Sequence, residues 1–242
     1  MKSFGNSDVG LVRTNNEDAF RFGSVDDGVI WAVVCDGMGG ASGGQIASSM
    51  AADMVSKKIE KCYHKSMNTG SIENMLLSAI TTANVTVYDR AIADEFLNGM
   101  GTTIVAAVIK NNTVCIAHVG DSRAYILSDD KIVQITKDHS LVQEMFDKGQ
   151  ITKEEFENST IRNIITRALG VAENIDIEFN TVEIKSGEVL MLCTDGLSSL
   201  VSENEIFDTY KNTDFDSFVS VLIEKANKYG GTDNVTVVAI EC

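Results

Sequence analysis

The strongest structural signal in the chain is the stretch Val29-Ile30-Trp31-Ala32-Val33-Val34-Cys35-Asp36-Gly37. Its seven consecutive apolar residues, several of them β-branched, predict a strand that is buried on both faces. A carboxylate at the end of such a strand, followed by glycine, is typical of a tight turn where the backbone approaches a ligand closely. The stretch therefore predicts a central strand and a candidate site at its end.

Aspartate recurs beside other predicted strands. Asp121 follows an apolar run, Asp195 follows Leu190–Thr194, and Asp233 precedes the last predicted strand. Any single Asp-Gly pair is explained by ordinary turn preferences, but four aspartates at separate strand ends predict a shared site. Carboxylates that converge repel one another unless a cation lies between them. Hard divalent cations with oxygen ligands meet that requirement.

Composition narrows the classes of function. The 242 residues include 20 Lys and Arg against 35 Asp and Glu, a net charge of −15, which disfavours DNA and RNA as partners. No apolar run is long enough to span a membrane, and the N-terminus lacks the apolar core of a signal peptide. The five cysteines form no C-x-x-C pair, which predicts free thiols in a reducing cytoplasm. Because no repeat or linker interrupts the sequence, we expect one domain over residues 1–242.

Hydrophobic periodicity predicts an α+β fold. Short strands are predicted within residues 8–35, and apolar residues from Ile46 to Ile59 then recur at helical intervals. A second helix is predicted from Ser71 to about Phe96, and a meander of strands over 102–135 turns at Asn111-Asn112. The remaining predictions are mixed short helices over 138–169, strands at 175–184, 189–193 and 235–240, and a helix at 215–228. Strands grouped in meanders argue against a regular βαβ alternation.

Seven short motifs follow one another in an order found in a known family. On these motifs the chain resembles the metal-dependent serine/threonine protein phosphatases of the protein phosphatase 2C family, bacterial type. The motifs are Arg13-Thr14-Asn15-Asn16-Glu17-Asp18, Asp36-Gly37-Met38-Gly39-Gly40, Gly101-Thr102-Thr103, Gly120-Asp121-Ser122-Arg123, Arg167-Ala168-Leu169-Gly170, Thr194-Asp195-Gly196-Leu197 and Gly231-Thr232-Asp233-Asn234. Seven ordered motifs are far more specific than one Asp-Gly pair.

The resemblance implies a metal-ligating role for several of the matching residues. Asp36 is similar to the carboxylate that bridges two metal ions, and Gly37 to the residue whose carbonyl binds the first ion. Asp195 and Asp233 are similar to ligands of the second ion. The implied cofactors are two tightly bound Mn²⁺ or Mg²⁺ ions, together with a third, weaker ion known from bacterial members.

Further roles are implied around these ions. Asp18 and Glu17 are similar to residues that hold metal-bound waters, and Asp121, together with Asp195, to ligands of the third ion. Arg13 is similar to the guanidinium that grips the substrate phosphate, a task for which its bidentate fork is suited. Arg13, Asp36 and Asp18 are thus the implied catalytic residues.

The implied reaction is hydrolysis of phosphoserine and phosphothreonine in proteins by a metal-bridged water, without a covalent intermediate. The implied partners are phosphorylated proteins, including a eukaryotic-type serine/threonine kinase whose action the enzyme would oppose. We expect a cytoplasmic monomer in bacterial signalling, with no membrane insertion. The alternative is a catalytically weak pseudophosphatase that acts as a regulatory binding module. Such relatives usually lose metal-binding aspartates, whereas Asp36, Asp195 and Asp233 are all present here.

The resemblance also implies the architecture, a four-layer α-β-β-α sandwich with two central antiparallel sheets flanked by helices. Residues 138–169 resemble the bacterial flap, a segment beside the active site. Two departures stand out: Met38 replaces a histidine that is usual in animal members, and Ser159-Thr160 replaces a His-Pro that is common in bacterial relatives.

Other phosphatase and nucleotide-binding chemistries fit the sequence poorly. A cysteine nucleophile needs arginine six positions later, and no cysteine has one. The run 37–42 nearly fits a dinucleotide-binding loop, but its last residue is Ser42 rather than glycine. The histidines show no metal-ligand spacing, so we expect His118 to be a satisfied core residue and His139 to fix the base of the flap.

Overall fold

The computed structural model describes residues 1–25, 28–39, 43–161 and 163–242. Part of the glycine-rich run, residues 40–42, and Arg162 of the flap lie outside the described residues. The strands, numbered in chain order, are β1 (Lys2–Asp8), β2 (Asp18–Val25), β3 (Val29–Met38), β4 (Gly101–Thr102), β5 (Ile104–Lys110), β6 (Thr113–Val119), β7 (Arg123–Leu127), β8 (Ile132–Gln134), β9 (Glu178–Glu183), β10 (Val189–Cys193) and β11 (Val235–Glu241).

The helices lie in three segments of the chain: between β3 and β4, between β8 and β9, and between β10 and β11. They are α1 (Gly43–Cys62), α2 (Thr69–Ala93), α3 (Leu141–Asp147), α4 (Lys153–Glu157), α5 (Asp195–Ser198), α6 (Glu203–Asn212) and α7 (Phe215–Lys228), with a 3-10 helix at Glu95–Leu97. Within the described ranges, no helix combines the length and the apolar character needed to cross a bilayer.

The strands form two antiparallel sheets. The first sheet has the order β1-β11-β10-β7-β8, and the second has the order β2-β3-β5-β6-β9, with β4 paired to β3. In the first sheet β11 lies between β1 and β10, so the last strand of the chain pairs with the first. The strands that end in the predicted aspartates thus belong to both sheets.

Strand β3 is apolar throughout because both of its faces are buried. Trp31, Val33 and Cys35 pack in a core between the second sheet and helices α1 and α2. Ile30 and Val34 point the other way, into a core that the two sheets share. This alternation follows from the period of two in a strand, and it places Asp36 where the buried run ends.

A third core completes the layers. It is formed by the outer face of the first sheet and helices α5, α6 and α7, with Phe218 and Leu222 of α7 buried against Met191 of β10. Helices therefore cover both outer faces of a pair of packed sheets. The predicted α+β class and the four-layer α-β-β-α sandwich are confirmed.

Several element boundaries differ from those that the sequence predicts. Helix α2 begins at Thr69, because Asn68 accepts a hydrogen bond from the Ser71 amide, and it ends at Ala93 rather than near Phe96. Strand β9 is shorter than the predicted 175–184. Strand β1 begins at Lys2, ahead of the predicted 8–35 region, and α6 lies in a segment for which no helix is predicted.

The predicted hairpin turn supplies a first testable prediction. Asn111 and Asn112 adopt φ values of 48° and 64°, the left-handed region that a type I′ turn requires. Since a Cβ atom is disfavoured there, Asn112→Ala should lower the free energy of unfolding by about 1 kcal/mol relative to Asn112→Gly. Urea denaturation measures the difference. Asn98→Ala is the control, because Asn98 is exposed and has a φ of −58°; equal stability of the two Asn112 variants would contradict the prediction.

Candidate metal centre

The site begins with two aspartates on neighbouring strands. Asp18 opens β2 and lies directly opposite Asp36 in the β2–β3 register. The backbone of Asp36 is fixed from the next strand: its amide donates to Thr103 Oγ1 at 2.9 Å, and its carbonyl accepts from the Thr103 amide at 2.8 Å and from Thr102 Oγ1 at 2.9 Å. These bonds fix the backbone of Asp36 and so position its carboxylate near the end of β3.

The first sheet brings two further carboxylates to the same place. Asp195 follows β10 at the start of α5, and Asp233 comes shortly before β11, the strand next to β10. The Asp195 side chain lies within hydrogen-bonding distance of that of Asp36. Two carboxylates in such contact need a shared proton or a cation between them. The site therefore lies where the ends of the two sheets meet.

Hydroxyl groups connect the two sheets across the site. Thr194 Oγ1 donates to Asp18 Oδ2 at 2.9 Å, and Thr236 Oγ1 donates to the same oxygen at 2.6 Å. Thr194 precedes Asp195, and Thr236 lies in β11, so Asp18 of the second sheet is held by residues of the first. The other oxygen of Asp18, Oδ1, is buried and has no hydrogen-bond partner among the described residues.

Burial and mutual repulsion shift the ionisation of these groups. Burial raises the pKa of Asp18 to about 7, even though two hydroxyls donate to its carboxylate. Burial, with the charges of Asp18, Asp195 and Asp121, raises the pKa of Asp36 well above its ordinary value. Burial and the charge of Asp233 raise the pKa of Asp195 as well. Without a positive charge among them, these carboxyls retain protons at a pH where exposed aspartates have lost theirs.

Asp121 reaches the site from a separate turn. It follows β6 and Gly120, and only 7% of its surface is exposed. Burial raises the pKa of Asp121 to about 7, and the carboxylates of Asp195 and Asp138 act in the same direction. The structure thus brings the predicted third-ion residue close enough to Asp195 for the two charges to interact.

Glu17 and Gly37 are joined through their backbones. The Gly37 amide donates to the Glu17 carbonyl at 3.1 Å, and Ser48 Oγ of α1 donates to the same carbonyl. A side chain at Gly37 would collide with the carbonyl of Gly44, so the close approach of α1 requires glycine at this position. Burial is the main cause that raises the pKa of the Glu17 carboxyl.

Arg13 lies at the rim of the carboxylate cluster. It belongs to the loop between β1 and β2, its side chain is 52% exposed, and its Nη2 donates to Asp233 Oδ2 at 2.8 Å. The Asn234 side chain anchors this loop, since its Nδ2 donates to the carbonyls of Val9 and Asn15, both at 2.9 Å, and its Oδ1 accepts from the Glu17 amide at 2.8 Å.

Sequence reasoning gave no role to Asn234, Thr194 or Thr236. Asn234 and Thr194 lie inside two of the seven motifs, which could have indicated a role for them. The residues that they bond are distant in sequence, so the motifs do not show what that role is. Thr236 is a buried hydroxyl in an otherwise apolar strand, which is itself an indication of a hydrogen-bonding task.

The expectation for the histidines needs correction. His118 and His139 lie in different parts of the chain but stack with ring centroids 4.7 Å apart, and Glu178 lies beside them. His118 is only half satisfied: its Nε2 lies 2.8 Å from the Lys137 carbonyl, and its Nδ1 has no hydrogen-bond partner in the described part of the chain. Sequence spacing missed this group because tertiary folding, rather than a local motif, brings it together.

The residues present suit hard divalent cations. Oxygen is the donor atom of Asp18, Asp36, Asp195 and Asp233, and carboxylate sets of this kind favour Mg²⁺ or Mn²⁺ over softer metals. The unpartnered, buried Oδ1 of Asp18 and the contact between Asp36 and Asp195 both call for a positive charge. The chemistry of these donor atoms therefore suits the ions that the sequence resemblance implies.

Comparison with known proteins gives the family. The sequence profile described as protein phosphatase 2C matches residues 12–237. The chain belongs to the protein phosphatase 2C family. It is 38% identical over 236 residues to the serine/threonine phosphatase Stp of Listeria welshimeri serovar 6b, covering 97% of this chain and 93% of that protein.

Solved structures of this family share the fold. The serine/threonine phosphatase Stp1 of Staphylococcus aureus superposes with a TM-score of 0.92 at 32% identity, covering 100% of this chain and 94% of that one. The catalytic domain of the serine/threonine protein phosphatase PstP, in complex with two manganese ions, gives a TM-score of 0.85 at 32% identity, covering 99% and 97%. This member of the protein phosphatase 2C family is accordingly a serine/threonine protein phosphatase.

The raised carboxyl pKa values predict how stability depends on pH. Because the pKa of Asp18 and of Asp121 is about 7 in the folded protein, against 3.8 ordinarily, the folded state binds more protons than the unfolded state between these values. The metal-free phosphatase should therefore lose stability as pH rises from about 4 to 7, by on the order of 1 kcal/mol per pH unit for each carboxyl.

Chemical denaturation of chelator-treated protein at pH 5.5 and 7.5 measures this dependence. Asp121→Asn should flatten it, whereas Asp129→Asn should not, since the Asp129 side chain is 98% exposed. Stability that is equal at both pH values, or that rises with pH, would show that the buried carboxyls are not protonated in the folded state.

Proposed function

We propose that this phosphatase hydrolyses phosphoserine and phosphothreonine in proteins with two divalent cations, Mn²⁺ or Mg²⁺, held by the carboxylate cluster. The observation that carries the proposal is the convergence of Asp18 and Asp36, paired on neighbouring strands of one sheet, with Asp195 from the other sheet, whose side chain bonds that of Asp36. Such a set of charges is stable in ionised form only around a cation. The manganese-bound structure of PstP, which shares the fold, supports the choice of metal.

Within this site we assign four residues to the two tight ions. Asp36 would be shared by the two ions, since the charges of both Asp18 and Asp195 act on its carboxylate. The Gly37 carbonyl would help to hold the first ion, and Asp195 and Asp233 would hold the second. The hydrogen bonds from Thr102 and Thr103 to the Asp36 backbone keep the bridging carboxylate in place before any ion binds.

We assign the surrounding carboxylates to water and to a third, weaker ion. Asp18 and Glu17 would hold waters of the tight ions, and the unpartnered Oδ1 of Asp18 is a free acceptor for one of them. Asp121 would hold the third ion together with Asp195, whose negative charge helps to raise the pKa of Asp121.

Bound ions of this kind supply an activated water and neutralise the charge that develops on the phosphoryl oxygens. The protein itself then needs no nucleophile. Burial raises the pKa of the Cys193 thiol to about 12 and that of Cys35 further, so neither cysteine near the site supplies a thiolate at neutral pH. This supports direct hydrolysis without a covalent intermediate.

Arg13 is the residue that we assign to the substrate phosphate. Its guanidinium is tied to Asp233 at the rim of the cluster and is still about half exposed, so it can meet a phosphate that approaches the ions. A planar guanidinium presents paired donors that match phosphate oxygens. The net charge of −15 would otherwise repel a phosphorylated protein, and Arg13 with the cations reverses that effect locally.

The substrates define the wider role that we propose. Phosphoserine and phosphothreonine in proteins are produced by protein kinases, so a serine/threonine kinase is the functional counterpart of this enzyme. The cysteines are free thiols throughout the described ranges, which agrees with a cytoplasmic site of action in a signalling role. We propose that the enzyme acts as a monomer.

Metal removal is the direct test of the proposed chemistry. Hydrolysis of an aryl phosphate should cease in excess chelator and return with added Mn²⁺ or Mg²⁺. Asp36→Asn should reduce turnover by more than about a hundredfold. Mutation of a residue that only hydrogen-bonds a metal ligand costs about 10- to 100-fold, and the loss of a shared ligand should cost more. Asp129→Asn, far from the cluster, should leave turnover unchanged. Full activity of metal-stripped protein in chelator would refute the metal mechanism, and a lack of any metal-dependent activity would favour a pseudophosphatase.

The phosphate role of Arg13 is tested with a matched arginine. Arg13→Ala should lower kcat/KM about ten- to hundredfold and weaken inhibition by inorganic phosphate, because a charge-assisted bidentate contact is worth about 1.5–3 kcal/mol. Arg21→Ala is the control: Arg21 is similarly exposed and also pairs with an aspartate, Asp53, at 2.8 Å, but it lies on β2 outside the cluster. Arg13→Lys should recover only part of the loss. Identical phosphate inhibition in wild type and Arg13→Ala would remove Arg13 from substrate binding.

A further inference from the structure

A second polar cluster adjoins the Gly120–Asp121 turn. It consists of His118 of β6, His139, Glu178 of β9 and Arg167, and it is referred to below as the histidine cluster. Both imidazoles are buried, with His118 fully inaccessible and His139 5% exposed. Nitrogen and oxygen atoms of His118, His139 and Glu178 lie within 4.8 Å of one another, which by itself is compatible with a metal ion.

The hydrogen bonds assign the protons of the two rings. His118 Nε2 lies 2.8 Å from the Lys137 carbonyl, which only accepts, so this nitrogen carries the proton. The Gly120 amide, which only donates, lies 3.1 Å from His139 Nδ1, so that nitrogen is bare. The proton of neutral His139 is therefore on Nε2, which faces Glu178 Oε2 at 3.3 Å.

This arrangement is unsuited to a metal ion. The protonated Nε2 of His139 has no lone pair in the ring plane to offer, and the guanidinium of Arg167 lies 3.4 Å from the same nitrogen. Burial is the main cause that lowers the pKa of both imidazoles, which keeps them neutral at pH 7 and preserves the pattern of donors and acceptors.

His139 instead forms hydrogen bonds with the turn that contains Asp121. Its amide donates to the Gly120 carbonyl at 2.9 Å, and its Nδ1 accepts from the Gly120 amide, so both backbone polar groups of one residue are bound by His139. Gly120 has a φ of +106°, and a side chain there would strike Thr103, so the turn has little freedom of its own. On the other side of the turn, Arg123 donates to Asp138 at 2.6 and 2.9 Å.

Residues 139–141 also pair with residues 164–166, which lie toward the C-terminal end of the flap. The His139 carbonyl accepts from the Thr166 amide at 2.8 Å, and the Leu141 amide donates to the Ile164 carbonyl at 2.8 Å. Ser140 and Ile165 form an isolated β-bridge between these two bonds. A displacement of residues 164–166 therefore acts directly on the residue that holds Gly120.

We propose that His139 is a positioning residue that couples the Gly120–Asp121 turn to residues 164–166 of the flap. The order of the flap and the affinity of the ion at Asp121 then change together. The proposal deepens the proposed function and rests on it in one respect, the assignment of Asp121 as an ion ligand.

Three variants of His139 separate this role from general packing. His139→Asn places an amide oxygen where Nδ1 was, so it keeps the acceptor for the Gly120 amide. His139→Gln reaches toward the position of Nε2 and loses that acceptor, and His139→Leu removes all polar function. His64→Gln is the control, because His64 is exposed and lies outside the histidine cluster.

Hydrogen exchange and Mn²⁺ binding are the two measurements. In His139→Gln and His139→Leu, amides of residues 118–123 and 163–169 should lose protection together, and the weakest Mn²⁺ site should bind about ten- to hundredfold less tightly. The two tighter ions should bind as in wild type, a pattern that Asp121→Ala should reproduce. His139→Asn should stay close to wild type in both measurements.

Several results would overturn the proposal. One is that His139→Gln matches His139→Asn, which shows that the bond to Gly120 is unimportant. Another is loss of protection in 118–123 alone, which breaks the link to the flap. Tight zinc binding that His118→Ala abolishes would identify a metal site instead. If wild type releases no phosphate in any metal, the proposed function fails, whereas the exchange measurement still decides whether the turn and the flap are coupled.

Discussion

The repulsion among buried carboxylates is the constraint on which the rest of this structure depends. Asp36 and Asp195 are in contact and partly buried, and burial together with neighbouring carboxylates raises the pKa of both. The protein holds them there by fixing their surroundings: threonine hydroxyls from one sheet bind Asp18 of the other, and the backbone of Asp36 is bonded on both sides. The four-layer sandwich supplies the rigidity for this, because each sheet is covered by helices outside and by its partner inside. A cation then relieves the repulsion that the fold maintains.

The same constraint explains how a strongly acidic phosphatase can accept phosphorylated substrates. In the proposed function, the charge that attracts the phosphate is concentrated at one point, at the bound cations and Arg13, although the net charge of the protein is −15. Arg13 lies on a loop that Asn234 anchors, and it bonds Asp233, so the residue proposed to bind the phosphate and the proposed ion ligands share one support.

Much of the fold, and the convergence of the aspartates at one site, could be predicted from the sequence, because those residues leave local patterns. The apolar run of β3 shows that both faces are buried, Asn111-Asn112 marks a turn, and aspartates at strand ends mark a site. Strand β1 was missed because it lies at a sheet edge and alternates without a clear apolar face, and α6 because Ile206 is its only buried apolar residue. Thr236, Asn234 and His139 act through hydrogen bonds to residues far away in the chain, which no local pattern records.

The pairing of β1 with β11 has a consequence for how the protein is made. Lys2 lies opposite Glu241, and the hydroxyl of Thr236 reaches Asp18 across 218 positions of sequence. On the ribosome, the first sheet therefore lacks the strand that joins β1 to β10, and Asp18 lacks the hydroxyl of Thr236, until β11 has emerged. Contacts so distant in sequence slow folding, since the loop they close is long. Until then the nascent chain cannot assemble the proposed ion site, so metal capture waits for the emergence of β11.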